Sequence, residues 1–469
     1  KLGKPKKVNK EIKDQSKMTT EEWKEYFSGH WNFGGAKQDG HIAMFPEELP
    51  KRLIKMFAFK DETVLDPFMG SGTTSLAARN LERNSIGYEV NPEFIEIAKN
   101  KYNLNPVNKE VKSVINKQVV ENLDKAYYPT DFIVPYMDIV HDRAVLEIAR
   151  GCTRGCRFCA AGMTYRPTRE RSKETLLSLA DKILKSTGYS EISFTSLSTV
   201  DHSQIEDLTE TFMNKYQKDK ISLSLSSLRV DDFSVELAKK VQRVRKTGLT
   251  FAPEAGSQRL RNVINKGVSE KNLYDAVKSA FNAGWHRIKL YFMIGLPTEN
   301  KEDLEGIVRM AKKVLEIGKE IRKNTEKRMK KIEVQVSVST FIPKPFTPFQ
   351  WVAMPSREKI IEKQDYLRNN LRGRGLKFSW NDPDLSLLEG VIARGGRKIS
   401  EVIETAWENG AKFDSWNDHF DPEIWYKAIK ENDLKLDNLL GKRDLESDLP
   451  WSHINTGIKE NFLKKKQSN

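Results

Sequence analysis

The chain has 469 residues, enough for two or three domains with their own cores, and its 38% hydrophobic and 31% charged residues describe a globular, slightly polar protein. No apolar run reaches the roughly eighteen residues a membrane helix needs, and the Lys-rich start has no apolar stretch behind it, so neither a membrane span nor a secretory signal is expected and the cytoplasm is the expected compartment. A formal net charge of +14 suits polyanionic partners such as nucleic acid, and equally suits a Lys-rich solubilising surface.

In chain order, residues 1–17 read as a basic disordered tail. A first unit follows over 18–113. Helical spacing covers Glu47–Phe57, a short apolar strand Thr63–Phe68, a helix Thr73–Leu81, a second strand Ser85–Val90, and Pro92 opens another helix at its first position. Two parallel strands with crossover helices amount to half a nucleotide-binding sheet, a truncated Rossmann-like fragment. Between the first strand and its helix, Gly70 and Gly72 let the backbone approach a ligand at the helix N-terminus, and Asp66 and Glu89 close the two strands, where an acidic residue suits a ribose diol.

A second unit spans 118–350. Strands are expected at Ala144–Ile148, Glu191–Thr195, Ile221–Leu225, Gly248–Ala252, Arg287–Met293 and Glu333–Ser339, with helical patterns between them such as Lys173–Lys185 and Leu304–Ile317. Six strand–helix repeats predict an α/β fold, a partial (βα)6 barrel of the TIM-like kind, with its chemistry at the C-terminal ends of the strands. Residues 351–469 read as a helical C-terminal region with many aromatics.

All three cysteines lie after the first barrel strand, as Cys152, Cys156 and Cys159 in a Cys-x3-Cys-x2-Cys arrangement. An odd, tight set is no disulfide framework. Gly151 and Gly155 let the loop fold so that three sulfurs gather at one metal centre. Three thiolates on a four-iron cube would leave one iron open. A Cys3His zinc site with His141 is the alternative ligand set.

The loop RGCTRGCRFC (150–159) resembles the signature of the radical S-adenosylmethionine (SAM) superfamily. That resemblance implies a 4Fe-4S cluster on Cys152, Cys156 and Cys159, with SAM chelating the open iron and Phe158 lying against its adenine. It further implies SAM contacts from the strand-end segments: Ser196 and Ser198 in EISFTSLST, Arg229 in SSLRVD, and Glu254 and Ser257 in FAPEAGSQRLR, with FMIGLPTE as a turn beside the adenine. From about Tyr128 onward the chain is similar to an uncharacterised cobalamin-binding-type group of radical SAM proteins, through HDRAVLEIARGCTRGCRFCAAGMTYRPTRERS, STFIPKPFTPFQW, GAKFDSWNDHF and LPWSHINTG. Members carry a cobalamin-type domain ahead of the cysteine loop; here that region holds another sequence, which makes cobalamin dependence doubtful. A reductant protein of the flavodoxin or ferredoxin type is the implied partner.

Three further features have two readings each. Arg166, Arg169 and Arg171 suit phosphate or nucleic acid and, in the preferred reading, brace acidic residues of the barrel. The tryptophans Trp380, Trp407, Trp416, Trp425 and Trp451 suit base stacking and, in the preferred reading, form the small core of a helical cap. The segments HIAMFPEELPKRLI (41–54), DPFMGSGTT (66–74) and GYEVNPEFIEIAKNKY (87–102) resemble N4-cytosine/N6-adenine DNA methyltransferases, which implies weak SAM binding at Asp66, Gly70, Gly72 and Glu89. That family catalyses with an Asp/Ser/Asn-Pro-Pro-aromatic tetrapeptide around a flipped base; none occurs here, and Asn381-Asp382-Pro383-Asp384 comes nearest. The two resemblances meet near residues 113–118, which suggests a fusion of two truncated genes. The leading expectation is a radical SAM enzyme of unknown substrate; the alternatives are a DNA methyltransferase remnant and a non-catalytic nucleic-acid-binding protein.

Overall fold

The computed structural model describes residues 9–28, 30–35, 45–102, 114–137, 139–225, 230, 249–325, 330–416 and 418–468. The chain divides into two compact units, residues 1–112 and 113–469.

In the first unit, β1 (Thr63–Asp66) and β2 (Asn84–Gly87) pair in parallel, with Leu65 opposite Ile86. The helices Glu48–Phe57 and Thr73–Asn80 cover one face through Ile54, Ala77, Ala78 and Val64. Leu65 and Ile86 point the other way and are 61% and 49% exposed, because two strands cannot bury both faces of a sheet. One expectation is corrected here. Of the supposed disordered tail, residues 1–8 lie outside the described residues, while Lys10–Gln15 form a short helix capped by Asn9. Ser16 then accepts the Lys60 N–H at 2.8 Å, which ties this helix to the sheet's edge loop.

The second unit holds seven parallel barrel-type strands. β3 (Ala144–Glu147), β4 (Glu191–Thr195) and β5 (Ser222–Leu225) form one sheet; β6 (Leu249–Glu254), β7 (Arg287–Ile294), β8 (Glu333–Thr340) and β9 (Leu376–Trp380) form another. The six expected strands fall where their apolar runs placed them. β9 lies in the stretch expected to be a helical tail; its five residues carry alternation too short to register alone, and it forms because Val334–Val338 offers an edge to pair with.

Side chains alternate along these strands, as the pleat requires. One face of β3, β4 and β5 (Ala144, Leu146, Ile192, Phe194, Leu223) packs against the helices Lys173–Thr187 and Ile205–Tyr216. One face of β6–β8 packs against Glu270–Asn282 and Lys301–Asn324. Both helix faces are continuous apolar stripes, so these helices bury one side and leave the strands' other side as the inner wall.

The C-terminal region is helical apart from β9 and a two-residue ladder that pairs Ile454–Asn455 with Ile115–Asn116. The tryptophans divide. Trp425 and Trp451 are buried, as a cap core requires, whereas Trp380, Trp407 and Trp416 are 41%, 58% and 68% exposed, which corrects the single-core reading for those three. Trp451 and Trp351 pack with Met163, so the tail supports the helix that follows the cysteines. No described helix is long and apolar enough to cross a membrane.

Candidate cluster-binding site

The cysteine loop leaves β3 at the C-terminal end of the sheet. Gly151 sits at φ +96°, and a Cβ there would stand 2.8 Å from the Pro167 carbonyl oxygen and 2.9 Å from that of Tyr165. Only glycine lets the loop lie this close to its returning strand. Cys152, Cys156 and Cys159 follow, all half-buried and none in a disulfide.

Both flanks of the loop are tied down. On one side Arg154 grips Asp201, just past β4, with both ends of its guanidinium; the Nε–Oδ2 distance is 2.9 Å. On the other side the Arg157 N–H donates to the Ile264 carbonyl at 3.0 Å and its guanidinium to the Val263 carbonyl at 2.7 Å. Asn265 donates to the Gly155 carbonyl at 2.9 Å. The loop therefore spans the ends of β4 and of the turn after β6. Phe158 packs into the apolar cluster of Ala255, Leu260, Ile264, Leu296, Phe341 and Phe349 above those strand ends.

The thiols suit an iron–sulfur cluster. Cys159 Sγ accepts the Gly162 N–H at 3.2 Å, and Cys152 Sγ accepts the Arg154 N–H at 3.5 Å, the backbone-donor pattern that thiolate sulfurs use. Burial pushes the Cys159 thiol above its ordinary value, against the Gly162 N–H, and nearby Cys152 adds to the rise. A bound metal cation would offset that rise. Among the described residues no three His, Cys, Asp or Glu side chains gather at single-ion distance. His141 is engaged with Arg143 at 3.1 Å.

The structure brings several expected residues to this loop. Glu254, at φ +70° on the end of β6, pairs with Lys266 at 3.1 Å, and both act on the Cys159 thiol. Ser196 lies 3.2 Å from the Thr199 hydroxyl. Ser198 is buried, and its hydroxyl has no partner among the described residues. Ser257 is used differently: it caps the helix Gln258–Val263 through the Leu260 N–H and donates to Asp303. Next to it Gly256 meets the helix Lys301–Asn324 so closely that a Cβ would lie 1.9 Å from the Asp303 carbonyl. Arg229 lies outside the described residues.

The arginines after the cysteines brace the loop, largely through carbonyl oxygens. Arg166 donates to Gly162, Arg169 to Val120, Tyr165 and Pro167, and buried Arg171 to Leu123 while lying over the Tyr128 ring and 3.9 Å from Glu147. Sequence reasoning missed Arg154, Asp201, Arg157, Asn265 and Lys266. A charge inside the cysteine loop was the only local signal, and its partners lie far along the chain. It also missed the buried Glu299–Lys363 pair in the GLPTE turn, where Glu299 accepts the Gly295 N–H at 2.9 Å and burial holds its carboxyl above the usual range despite Lys363.

In the first unit the four expected residues meet at the strand ends. Glu89 accepts the Gly70 N–H at 2.8 Å and the Val90 and Asn91 N–H groups at 2.7 Å each. Asp66 accepts the Phe68 N–H at 3.0 Å, and Gly72, at φ +91°, opens the helix Thr73–Asn80.

The radical SAM superfamily model matches residues 146–311, and an uncharacterised protein of Methanocaldococcus jannaschii is 31% identical over 362 residues, 75% of this chain and 73% of that protein. The chain belongs to the radical SAM superfamily. Its mixed α/β fold and its standing as a radical SAM enzyme go with that membership. A DNA methylase family model matches residues 2–100 of this radical SAM protein. There the type II methyltransferase M.MjaI of M. jannaschii is 44% identical over 106 residues, 21% of this chain. The chain spans only 35% of that methyltransferase's length. Among solved structures, the radical SAM methyltransferase TsrM of Kitasatospora setae, with cobalamin and a 4Fe-4S cluster bound, covers 44% of this chain and 38% of its own at 12% identity, with a TM-score of 0.36.

Proposed function

We propose that Cys152, Cys156 and Cys159 bind a 4Fe-4S cluster and that the chain uses it to cleave SAM reductively. The observation that carries this reading is the cysteine loop itself, three half-buried thiols held at the strand ends by Arg154–Asp201 on one flank and by Arg157 and Asn265 on the other. Once bound, the cluster supplies the electron that breaks a carbon–sulfur bond of the SAM sulfonium, giving methionine and a 5′-deoxyadenosyl radical that abstracts hydrogen from substrate.

The protein's share is placement. Phe158 offers an apolar surface for the adenine, Ser198 a buried hydroxyl with no partner among the described residues for a polar group of SAM, and Glu254 a carboxylate at the strand end, already aligned by Lys266. Ser257 shapes this turn as a cap and through Asp303, so its effect on SAM is exerted through the backbone. The electron comes from a one-electron donor protein of the flavodoxin or ferredoxin type. Anaerobic reconstitution followed by a 5′-deoxyadenosine assay tests the reading.

A second reading concerns the first unit. The convergence of Gly70, Gly72, Asp66 and Glu89 favours a retained SAM-binding edge. Methyl transfer is not part of it, because no Pro-Pro-aromatic motif is present to hold a base. In the Cys156→Ala chain, equilibrium dialysis is expected to show SAM binding that Glu89→Ala abolishes; binding unchanged by Glu89→Ala would end this reading.

A further inference from the structure

The inner wall below the cysteine loop carries a cation that no carboxylate among the described residues neutralises. Along β7, Ile288, Leu290, Phe292 and Ile294 are buried, while Arg287, Lys289, Tyr291 and Met293 take the other face. Along β8 the same face bears Glu333, Gln335, Ser337 and Ser339. The register sets Lys289 between Thr250 and Gln335, Tyr291 beside Ser337, and Met293 beside Ser339. Met293 packs against the apolar cluster that also receives Phe158, so this face is the one that looks up to the cysteines. Tyr291 and Lys289 stand one and two pleats lower, about 7 and 13 Å down the strand.

A barrel interior that only needs filling is lined by branched apolar side chains. This wall is polar and open: Tyr291 is 38% exposed, and Gln335, Ser337 and Ser339 make no side-chain hydrogen bond among the described residues. At its base Glu333 is satisfied by Arg287 at 3.0 Å and Lys377 at 2.9 Å. One pleat higher, Lys289 Nζ donates to the Tyr291 hydroxyl at 2.7 Å, lies 4.4 Å from the ring centroid, and has no carboxylate partner among the described residues. Two of its three N–H donors are left for a ligand. Tyr291 Oη, as acceptor from Lys289, keeps its own hydrogen to donate, and Gln335, the register partner of Lys289 on the same face, carries an amide with two more donors.

We propose that Lys289, Tyr291 and Gln335 hold an anionic oxygen group, carboxylate or phosphate, of the substrate, whose remainder then reaches upward to the cysteine loop. The direction of that reach rests on the radical SAM reading; the anion site itself needs neither iron nor SAM.

Amine footprinting of the full chain tests it. The acetylation rate of Lys289 is followed by mass spectrometry with and without inorganic phosphate or succinate, with Lys313, an exposed helix lysine, as internal control. At ten times the dissociation constant, the bound anion slows Lys289 about tenfold while Lys313 is unchanged, since protection follows one plus the ligand ratio. Protection by phosphate alone assigns a phosphate group, and protection by succinate alone a carboxylate. Gln335→Leu and Tyr291→Phe, which keep Lys289 and its fold, are each expected to weaken the protection severalfold. No protection by either anion, or protection unchanged in both variants, overturns the proposal. Protection in a preparation that forms no 5′-deoxyadenosine upholds the site and counts only against the radical reading.

Discussion

Arg154→Ala removes the tether between the cysteine loop and the end of β4. Arg154 and Asp201 form a two-point contact with side chains 31% and 22% exposed. A fully exposed pair contributes about 0–1 kcal/mol, and stripping one partner from a fully buried pair costs about 3–5 kcal/mol. This pair lies between, so its loss is worth about 2 kcal/mol, or roughly 25-fold in the balance between the held and released loop. After anaerobic reconstitution, a strong iron chelator is expected to strip the variant up to that factor faster than the parent. Arg154→Lys should fall between them, since an ammonium matches the charge but not the planar fork. Equal iron content and equal chelation rates in all three proteins would refute the idea that this contact holds the loop.

Gly151→Ala forces a side chain into a φ of +96° against the Pro167 carbonyl, so it should cost at least about 1–3 kcal/mol and lower iron uptake on reconstitution. Trp451→Ala opens a cavity beside Met163 and should destabilise by about 3–5 kcal/mol in chemical denaturation, while Trp416→Ala, on an exposed ring, should change stability by less than about 0.5 kcal/mol. For Glu299 the folded-state pKa is raised, by burial, above the unfolded value of 4.5. Its contribution is therefore full below pH 4.5 and is lost as pH rises through the folded value. The melting-temperature difference between the parent and Glu299→Gln should accordingly turn against the parent over that rise; a difference flat in pH would contradict it.

The sequence carried the architecture of the barrel well because each of the six expected strands is a short, largely apolar run set between helical patterns. The cysteine loop was legible for a different reason: the three cysteines lie within eight residues and need no tertiary knowledge to group. What holds the loop was not legible. Arg154 and Asp201 are 47 positions apart, and Arg157 meets Val263 across 106. Nothing local distinguishes those arginines from solvated ones. The strand Leu376–Trp380 was hidden for the same reason, since it exists only as an edge laid on Val334–Val338. The tryptophans show the limit of burial statistics applied residue by residue: Trp451 finds Gln350 at 2.8 Å inside the core, and Trp416 finds no such pocket.

The central claim is tested most directly by reconstituting the chain anaerobically with iron and sulfide, reducing it in the presence of SAM, and assaying 5′-deoxyadenosine, with Cys156→Ala beside it. The expected result is about four irons per chain and 5′-deoxyadenosine from the parent, with neither from the variant. A folded parent that takes up no iron and releases no 5′-deoxyadenosine would contradict the account.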